Sequence, residues 1–336
     1  MSVTIEDIAK EARVSVATVS RVINNSKAVS PELKKRVNDV IEKRNFKPNS
    51  LARGLIMKRT NIIGIIVPDI SNPVFGALTR GINSFCQQKG YTLMVCESGG
   101  HQEKEVELLG VLADKKVDGV LFAGVDVNSA LVGEMKSMRY PIVLVTQEAS
   151  NGEEVIHTVI HDNVKAMYDA VSFLIENGHQ RIALIGGPEN DYSSGQKRLQ
   201  GYKQALEEQK IEILDSYIEH GDFSFESGYE CMRKIYEENS VLPTAVMVCN
   251  DAMAIGAIRF LKTSKVSVPA DISIMGFDDL EFGRYFSPEL TTVRISYFDE
   301  GLRAIKTLFK LIQEQSVPMT QFIPHKIIRR ISVKKI

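Results

Sequence analysis

Near the N-terminus the apolar residues recur at helical spacing, whereas beyond Asn61 they collect into short continuous runs. In the stretch 15–24, Val19, Val22 and Ile23 fall at i, i+3 and i+4, which predicts a helix with one buried stripe. Ser15 is suited to cap it, since its hydroxyl can accept a backbone N–H of the first turn. Val16, Ala17, Ser20, Arg21 and Asn24 are left on the open face. Upstream, 4–12 reads as a first helix that buries Ile5, Ile8, Ala9 and Ala12. Arg13-Val14 is a turn tight enough to set the two helices across each other. Ser30-Pro31-Glu32 starts a third helix, with a cap, a proline at the first helical position and an acid in the first turn. Leu33, Val37, Val40 and Ile41 give its buried stripe and close a three-helix module. Pro48 then biases Lys47 toward an extended backbone and breaks the chain.

From Asn61 onward the runs 62–67, 91–96, 117–122, 142–145, 155–160, 181–185, 245–249 and 272–275 read as strands. Amphipathic stretches such as 73–89, 163–177, 198–209, 251–262 and 298–313 read as the helices between them. Continuous apolar strands alternating with helices imply parallel sheets covered on both faces. The strands are too many for one compact sheet of this kind, so two α/β subdomains are expected. Several strand tips are polar (Pro68-Asp69, Thr146-Gln147, Asn250-Asp251, Asp278-Asp279). Ligands of open α/β sheets bind beyond such carboxyl ends.

With 336 residues and 44% hydrophobic content, the chain can bury a large core in two or three domains. Its net charge of -1 conceals an asymmetry: residues 1–60 carry 13 Lys+Arg against 6 Asp+Glu, and the remainder 28 against 36. A small basic module on a larger acidic body suits a reader of polyanions. The four cysteines (Cys86, Cys96, Cys231, Cys249) sit singly in apolar runs and read as buried thiols of a reducing compartment. No signal-like or membrane-length apolar stretch is found, so a cytoplasmic protein is expected.

Enzyme readings find little support. The six histidines form no H-E-x-x-H and no Cys/His metal spacing, and Gly186-Gly187 lacks the Lys-Ser/Thr of a P-loop. No catalytic residue, cofactor or metal site is therefore expected. The open face of 15–24 has short side chains and one guanidinium. It suits a DNA major groove, where Arg can bond guanine O6 and N7 together. Taken alone, two amphipathic helices in an ordinary core would explain 4–24 equally well; the terminal position, the local charge and the α/β body downstream favour the DNA reader. Residues 50–56 make one short helix at most, weakened by Gly54, and read as a linker that folds only when a partner and DNA hold it.

Motifs sharpen this picture. Thr4-Ile5-x-Asp7-Ile8-Ala9, Val14-Ser15-x-Ala17-Thr18-Val19-Ser20-Arg21-Val22-Ile23-Asn24, Pro48-Asn49 and Ala52-Arg53-Gly54-Leu55 stand in order at the N-terminus. Pro68-Asp69-Ile70-Ser71-Asn72-Pro73, Arg198-Leu199-Gln200-Gly201-Tyr202, Asn250-Asp251-x-Met253-Ala254-x-Gly256 and Gly276-Phe277-Asp278-Asp279 come after them. Over essentially its whole length the chain resembles the LacI/GalR family of bacterial transcription regulators. The 52–55 run is most similar to the catabolite-control branch.

The resemblance implies an N-terminal all-α helix-turn-helix headpiece (1–48), a hinge helix and linker (49–60) and an α/β core (61–336). The core would be two doubly wound parallel-sheet subdomains like those of periplasmic binding proteins. One would take 61–161 plus 292–321, the other 162–291 plus 322–336, with three crossings between them. It also implies a repressor that binds a pseudo-palindromic operator as a homodimer. Val16, Ala17 and Arg21 would read bases, while Ser15, Thr18, Ser20 and Asn24 mostly position the helix on phosphates; Thr4 and Asn49 are further DNA-binding positions. Thr18 and Ser20 are equally open to a simple packing role. Ala52 and Arg53 would line the minor groove, and Leu55 would wedge into a base step, unless it merely packs between domains. Arg13 departs from the small residue usual in this turn.

In the core, Arg198, Asn250 and Asp278 match positions that bond a small ligand, with Phe223 as a stacking aromatic and Asp69, Phe75 and Thr146 on the other wall. Helix capping for Asp278 and core packing for Phe223 remain open, and Asp251 reads as a cap. The implied effector is a sugar or sugar phosphate. Thr146-Gln147-Glu148 replaces the Asp-Arg of sugar-responsive members. That departure leaves a second reading, in which a seryl-phosphorylated phosphocarrier protein docks on Lys306 and Lys310. A cytosolic sugar-binding protein without DNA function is the alternative of another class.

Overall fold

The computed structural model describes residues 3–24, 29–46, 59–150 and 156–336. The chain divides into two compact units, Met1–Asn61 and Ile62–Ile336. Among the described residues the first holds three helices, Ile5–Ala12, Val16–Asn24 and Pro31–Lys43. Thr4 opens the first with a capping box: its hydroxyl accepts from Asp7 N at 3.3 Å while the Asp7 carboxylate accepts from Thr4 N at 2.9 Å. Arg13, at φ 53°, ends that helix in the left-handed region. Ile8, Ala9, Ala12, Val19, Val22, Val37 and Val40 form the buried centre, with Ile5, Ile23 and Ile41 half-buried around it. Each of the buried isoleucine and valine side chains contributes roughly 1.5–3 kcal/mol, and their shared contact is what fixes the crossing of these short helices.

The second unit contains two six-stranded sheets. β1 (Ile62–Val67), β2 (Thr92–Glu97), β3 (Gly119–Phe122), β4 (Ile142–Val145) and β5 (Thr158–His161) lie in the first. The second takes β6 (Ile182–Gly186), β7 (Ile218–His220), β8 (Ala245–Val248), β9 (Ser273–Asp278) and β10 (Thr291–Ile295). β11 (Thr320–Ile323) completes the first sheet and β12 (His325–Ile328) the second. The orders are β11-β5-β4-β3-β1-β2 and β12-β10-β9-β8-β6-β7. All pairings are parallel except β10 with β12. Both halves repeat one doubly wound pattern, in which the strand order reverses beside β1 and again beside β6.

The chain passes between halves after His161, after Ile295 and after Ile323. Two of these points correct the expected boundaries. The segment 292–295 belongs to the second half, because β10 pairs with β9 from Thr291–Met275 to Arg294–Asp278 and buries Val293 and Ile295. β11 continues past 321 in register with β5, Phe322 opposite Ile160 and Ile323 opposite His161, so the last crossing falls at Pro324. The helix Tyr297–Ile312 covers the first sheet, with Ala304, Ile305, Leu308 and Phe309 in that half's core. It lies so close to the helix Pro73–Lys89 that a Cβ on Gly81 would stand 2.1 Å from the Phe298 carbonyl oxygen. Among the described residues no helix is long and apolar enough to cross a membrane.

Candidate functional site

The second helix of the first unit presents the expected open face. Val19 and Val22 are buried, whereas Val16, Ala17 and Arg21 are exposed. Ser15 accepts from Thr18 N at 3.2 Å, and the two hydroxyls bond each other at 2.9 Å. This interaction fixes the helix start and occupies part of the capacity of Ser15 and Thr18 for any outside contact. Thr18 and Ser20 are half-buried. Thr4 uses its hydroxyl on Asp7, at 2.9 Å. Asn24 is the last residue of the helix. Asn49, Ala52, Arg53 and Leu55 lie outside the described residues.

Within the second unit a cleft of about 650 Å³ opens between the two sheets, a volume in the range of small-molecule sites. Its walls are built from carboxyl ends of strands. β1 leads to Asp69, β4 to Thr146 and Gln147, β5 ends at His161, β7 leads to Asp222 and Phe223, β8 to Asn250, and β9 ends at Asp278. All seven residues expected on sequence grounds (Asp69, Phe75, Thr146, Arg198, Phe223, Asn250, Asp278) line it. Three of them, Thr146 at φ 64°, Phe223 at 69° and Asp278 at 109°, occupy a region that non-glycine residues rarely adopt. Such strain collects at binding sites because the surroundings have to impose it.

The polar residues of the cleft are tied to one another more tightly than the sequence suggested. Arg198 is buried; its Nε donates to Asn163 Oδ1 at 2.8 Å and its Nη1 to the Cys249 carbonyl at 2.5 Å. Its Nη2 lies 3.3 Å from His161 Nε2, and the guanidinium sits 3.8 Å from the Phe277 ring centroid. Asn250 caps the helix Asp251–Thr263 by accepting from Met253 N, and its amide donates to the Phe223 carbonyl at 2.8 Å. Asn250 therefore holds the strained aromatic in place. Asp278 caps no helix; it accepts from Tyr297 Oη at 2.5 Å, a bond that joins the halves. Burial pushes its carboxyl up to about 6, against the pull of Arg198 and of the Tyr297 bond. Nor does Asp251 cap its helix. It is buried and accepts from Leu280 N and Thr292 Oγ1, both at 2.6 Å, which fastens the chain after β9 to β10.

Sequence reasoning missed His161, Asn163, Tyr297 and Glu300. Glu300 accepts from Thr146 N at 3.0 Å and lies 3.4 Å from His161 Nδ1, with both side chains buried. A Glu on the buried stripe of an amphipathic helix was the available signal. Asp191 was missed as well. It accepts from Ser194 N at 2.7 Å and starts the π-helical turn Tyr192–Gln196 in the cleft wall. Lys197 pairs with Glu148 at 2.6 Å across the two halves. On the outer surface Lys306 and Lys310 are exposed, one turn apart on the helix Tyr297–Ile312.

Comparison with known proteins agrees with both units. Residues 4–49 match the model of bacterial regulatory proteins of the lacI family, and residues 171–333 that of a periplasmic binding protein-like domain. Catabolite control protein A of Priestia megaterium is 38% identical over 335 residues, covering 99% of this chain and all of the relative. The lac repressor dimer bound to operator and the anti-inducer ONPF superposes with a TM-score of 0.91 at 28% identity, covering 99% of this chain and 100% of that one. The CelR–cellobiose complex gives 0.75 at 29% identity, covering 98% and 99%. With the lacI-family match over residues 4–49, this full-length likeness to transcriptional regulators speaks against a sugar-binding protein without DNA function. The chain belongs to the LacI family of bacterial transcriptional regulators.

Proposed function

We propose that this regulator is a cytosolic homodimer that represses transcription from a pseudo-palindromic operator, its DNA affinity set by a sugar or sugar phosphate in the cleft. The convergence on one cleft of the seven residues expected from the family resemblance carries this reading. On the DNA side Val16, Ala17 and Arg21 read base edges, while Ser15, Thr18, Ser20 and Asn24 set the register on the phosphates; Thr4 and Asn49 are further DNA-binding positions. Ala52 and Arg53 enter the minor groove and Leu55 wedges into a central step. A ligand spanning the cleft touches groups from both halves, so it can favour one arrangement of the halves over another and thereby bias DNA binding.

Selection of bound DNA from a random pool, with and without candidate sugars, tests the whole reading. It expects a palindromic consensus whose recovery depends on a sugar; recovery of random sequence with or without ligand defeats it. Leu55→Ala is expected to abolish the bend in a circular-permutation gel shift while leaving dimerisation and ligand binding unchanged. An unaltered bend angle removes the wedge assignment.

A second reading rests on the exposed pair Lys306 and Lys310. A basic helix face suits a phosphoprotein, and here a seryl-phosphorylated phosphocarrier protein is the corepressor. Calorimetry with that carrier, on the parent chain and on Lys306→Glu, separates the two. Heat from the carrier alone, lost in the variant, replaces the sugar reading.

A further inference from the structure

The charge of the cleft distinguishes a sugar from its phosphate, given the reading of this cleft as the effector site. Four carboxylates line it, Asp69, Asp191, Asp222 and Asp278, and among the described residues Arg198 is the only lysine or arginine that does. Arg198 is a weak anion anchor, because three of its five N–H groups are engaged within the fold. Its three nitrogens face Asn163, the Cys249 carbonyl and His161, Phe277 covers one face, and its charge is offset by Asp278 and Asp191. Asp69 and Asp222 stand exposed at the opposite walls, and the hydroxyls of Ser224 and Ser227 hold Asp222 below the usual carboxylate range.

Helix starts also face the cleft, among them those capped by Asn72, Ser224 and Asn250, and helix starts attract anions. Each of these carries a side-chain cap that takes one of its N–H groups. Asn72 accepts from Val74 N at 3.0 Å, Ser224 from Ser227 N at 3.1 Å, and Asn250 from Met253 N at 2.8 Å. The first helix begins with Pro73, which has no N–H to offer. The second and third carry Glu226 and Asp251 in their first turns.

We infer that the cleft selects an uncharged polyhydroxylated ring and rejects the phosphate ester of that same ring. Carboxylates only accept hydrogen bonds and sugar hydroxyls donate them, so Asp69, Asp222 and Asp278 meet a neutral sugar with the right polarity. The strained Phe223 gives the ring an apolar face. A phosphate dianion brought between the same carboxylates meets like charge in a partly enclosed site, and the one lysine or arginine among the described lining residues, Arg198, is already offset by Asp278 and Asp191.

Calorimetry on the purified full chain, with matched pairs of glucose and glucose 6-phosphate, ribose and ribose 5-phosphate, and cellobiose and cellobiose 6-phosphate, tests this. The neutral member of a binding pair is expected to bind at least about tenfold tighter than its ester. Asp222→Asn, a change at an exposed wall position, is expected to narrow that gap, and so is higher salt. An ester that binds as tightly as its parent sugar, or tighter, overturns the inference while leaving the cleft as the effector site. Absence of heat from every pair, in protein that still shifts operator DNA, defeats the reading of the cleft as a sugar site and this inference with it.

Discussion

Two arginine contacts of opposite kind illustrate how single residues divide between function and fold. Arg21 is exposed and is the one long donor on a face of short side chains. Arg21→Ala is expected to lose ~1–3 kcal/mol of discrimination at one symmetric base pair per half-site. Binding measured against specific and random duplexes decides it; equal weakening of both makes Arg21 a phosphate contact. Asp279, next to a cleft residue, belongs to the fold instead. Its carboxylate is 1% exposed and accepts from Arg330, from Arg294 Nε at 2.5 Å and from Arg284 Nη2 at 3.2 Å. Burial alone would raise its pKa, but the Arg330 and Arg294 bonds outweigh that and hold it below the ordinary 3.8. Its stabilising contribution is therefore present above that pH and is lost as pH falls below it. Asp279→Ala strands the Arg330 guanidinium, which keeps only the Leu290 carbonyl at 2.6 Å. A loss of about 3–5 kcal/mol in urea unfolding is expected at pH 7, and a change under 1 kcal/mol would remove the ion-pair account. In acid the gap between variant and parent should shrink.

At the scale of elements, the contact between helices Pro73–Lys89 and Tyr297–Ile312 is set by two glycines. A Cβ on Gly301 would stand 2.3 Å from the Leu78 carbonyl oxygen, the mirror of Gly81 against Phe298. Gly301→Ala gains helix propensity of about 1 kcal/mol, yet it forces backbone apart. Net destabilisation is expected, and a Tm equal to the parent's would show that the helices can separate freely. Elements of this kind were readable where burial is two-sided. β3, β4, β8 and β9 are buried along their whole length, and a continuous apolar run announces such strands. The edge strands β7 and β12 are half-buried and carry Glu219, His220, His325 and Lys326, so their pattern blends with that of loops. The cleft divides in the same way. Its Arg198, Asn250 and Asp278 stand in dense local motifs, whereas His161 and Glu300 meet across 139 residues of chain and share no local pattern. A contact of that span is a product of topology and leaves no trace in spacing.

For the whole molecule, the cleft lies between halves that already share the Tyr297–Asp278 bond and the Lys197–Glu148 pair. A ligand that bonds both walls adds to these, so free sugar at 100 times its Kd is expected to stabilise the chain by about 2.7 kcal/mol. Thermal unfolding across a sugar titration reads this directly, and a midpoint that stays fixed while calorimetry reports binding would show that the bound sugar does not favour the folded cleft. The order of the crossings has a consequence for synthesis. Strands β6 to β10 are contiguous in the chain, so nearly all of the second half leaves the ribosome together. The first half emerges earlier, but it cannot close. The apolar face of its sheet, including Ile63, Ile65 and Val143, waits for Ala304, Ile305 and Leu308, and its edge waits for β11. Domains made first commonly fold first; here the half translated earlier is the later one to be completed. While the second half is being made, that face of the sheet is covered only by the helix Pro73–Lys89, through Leu78, Ile82 and Cys86, and the part that Ala304, Ile305 and Leu308 later take stays open to water.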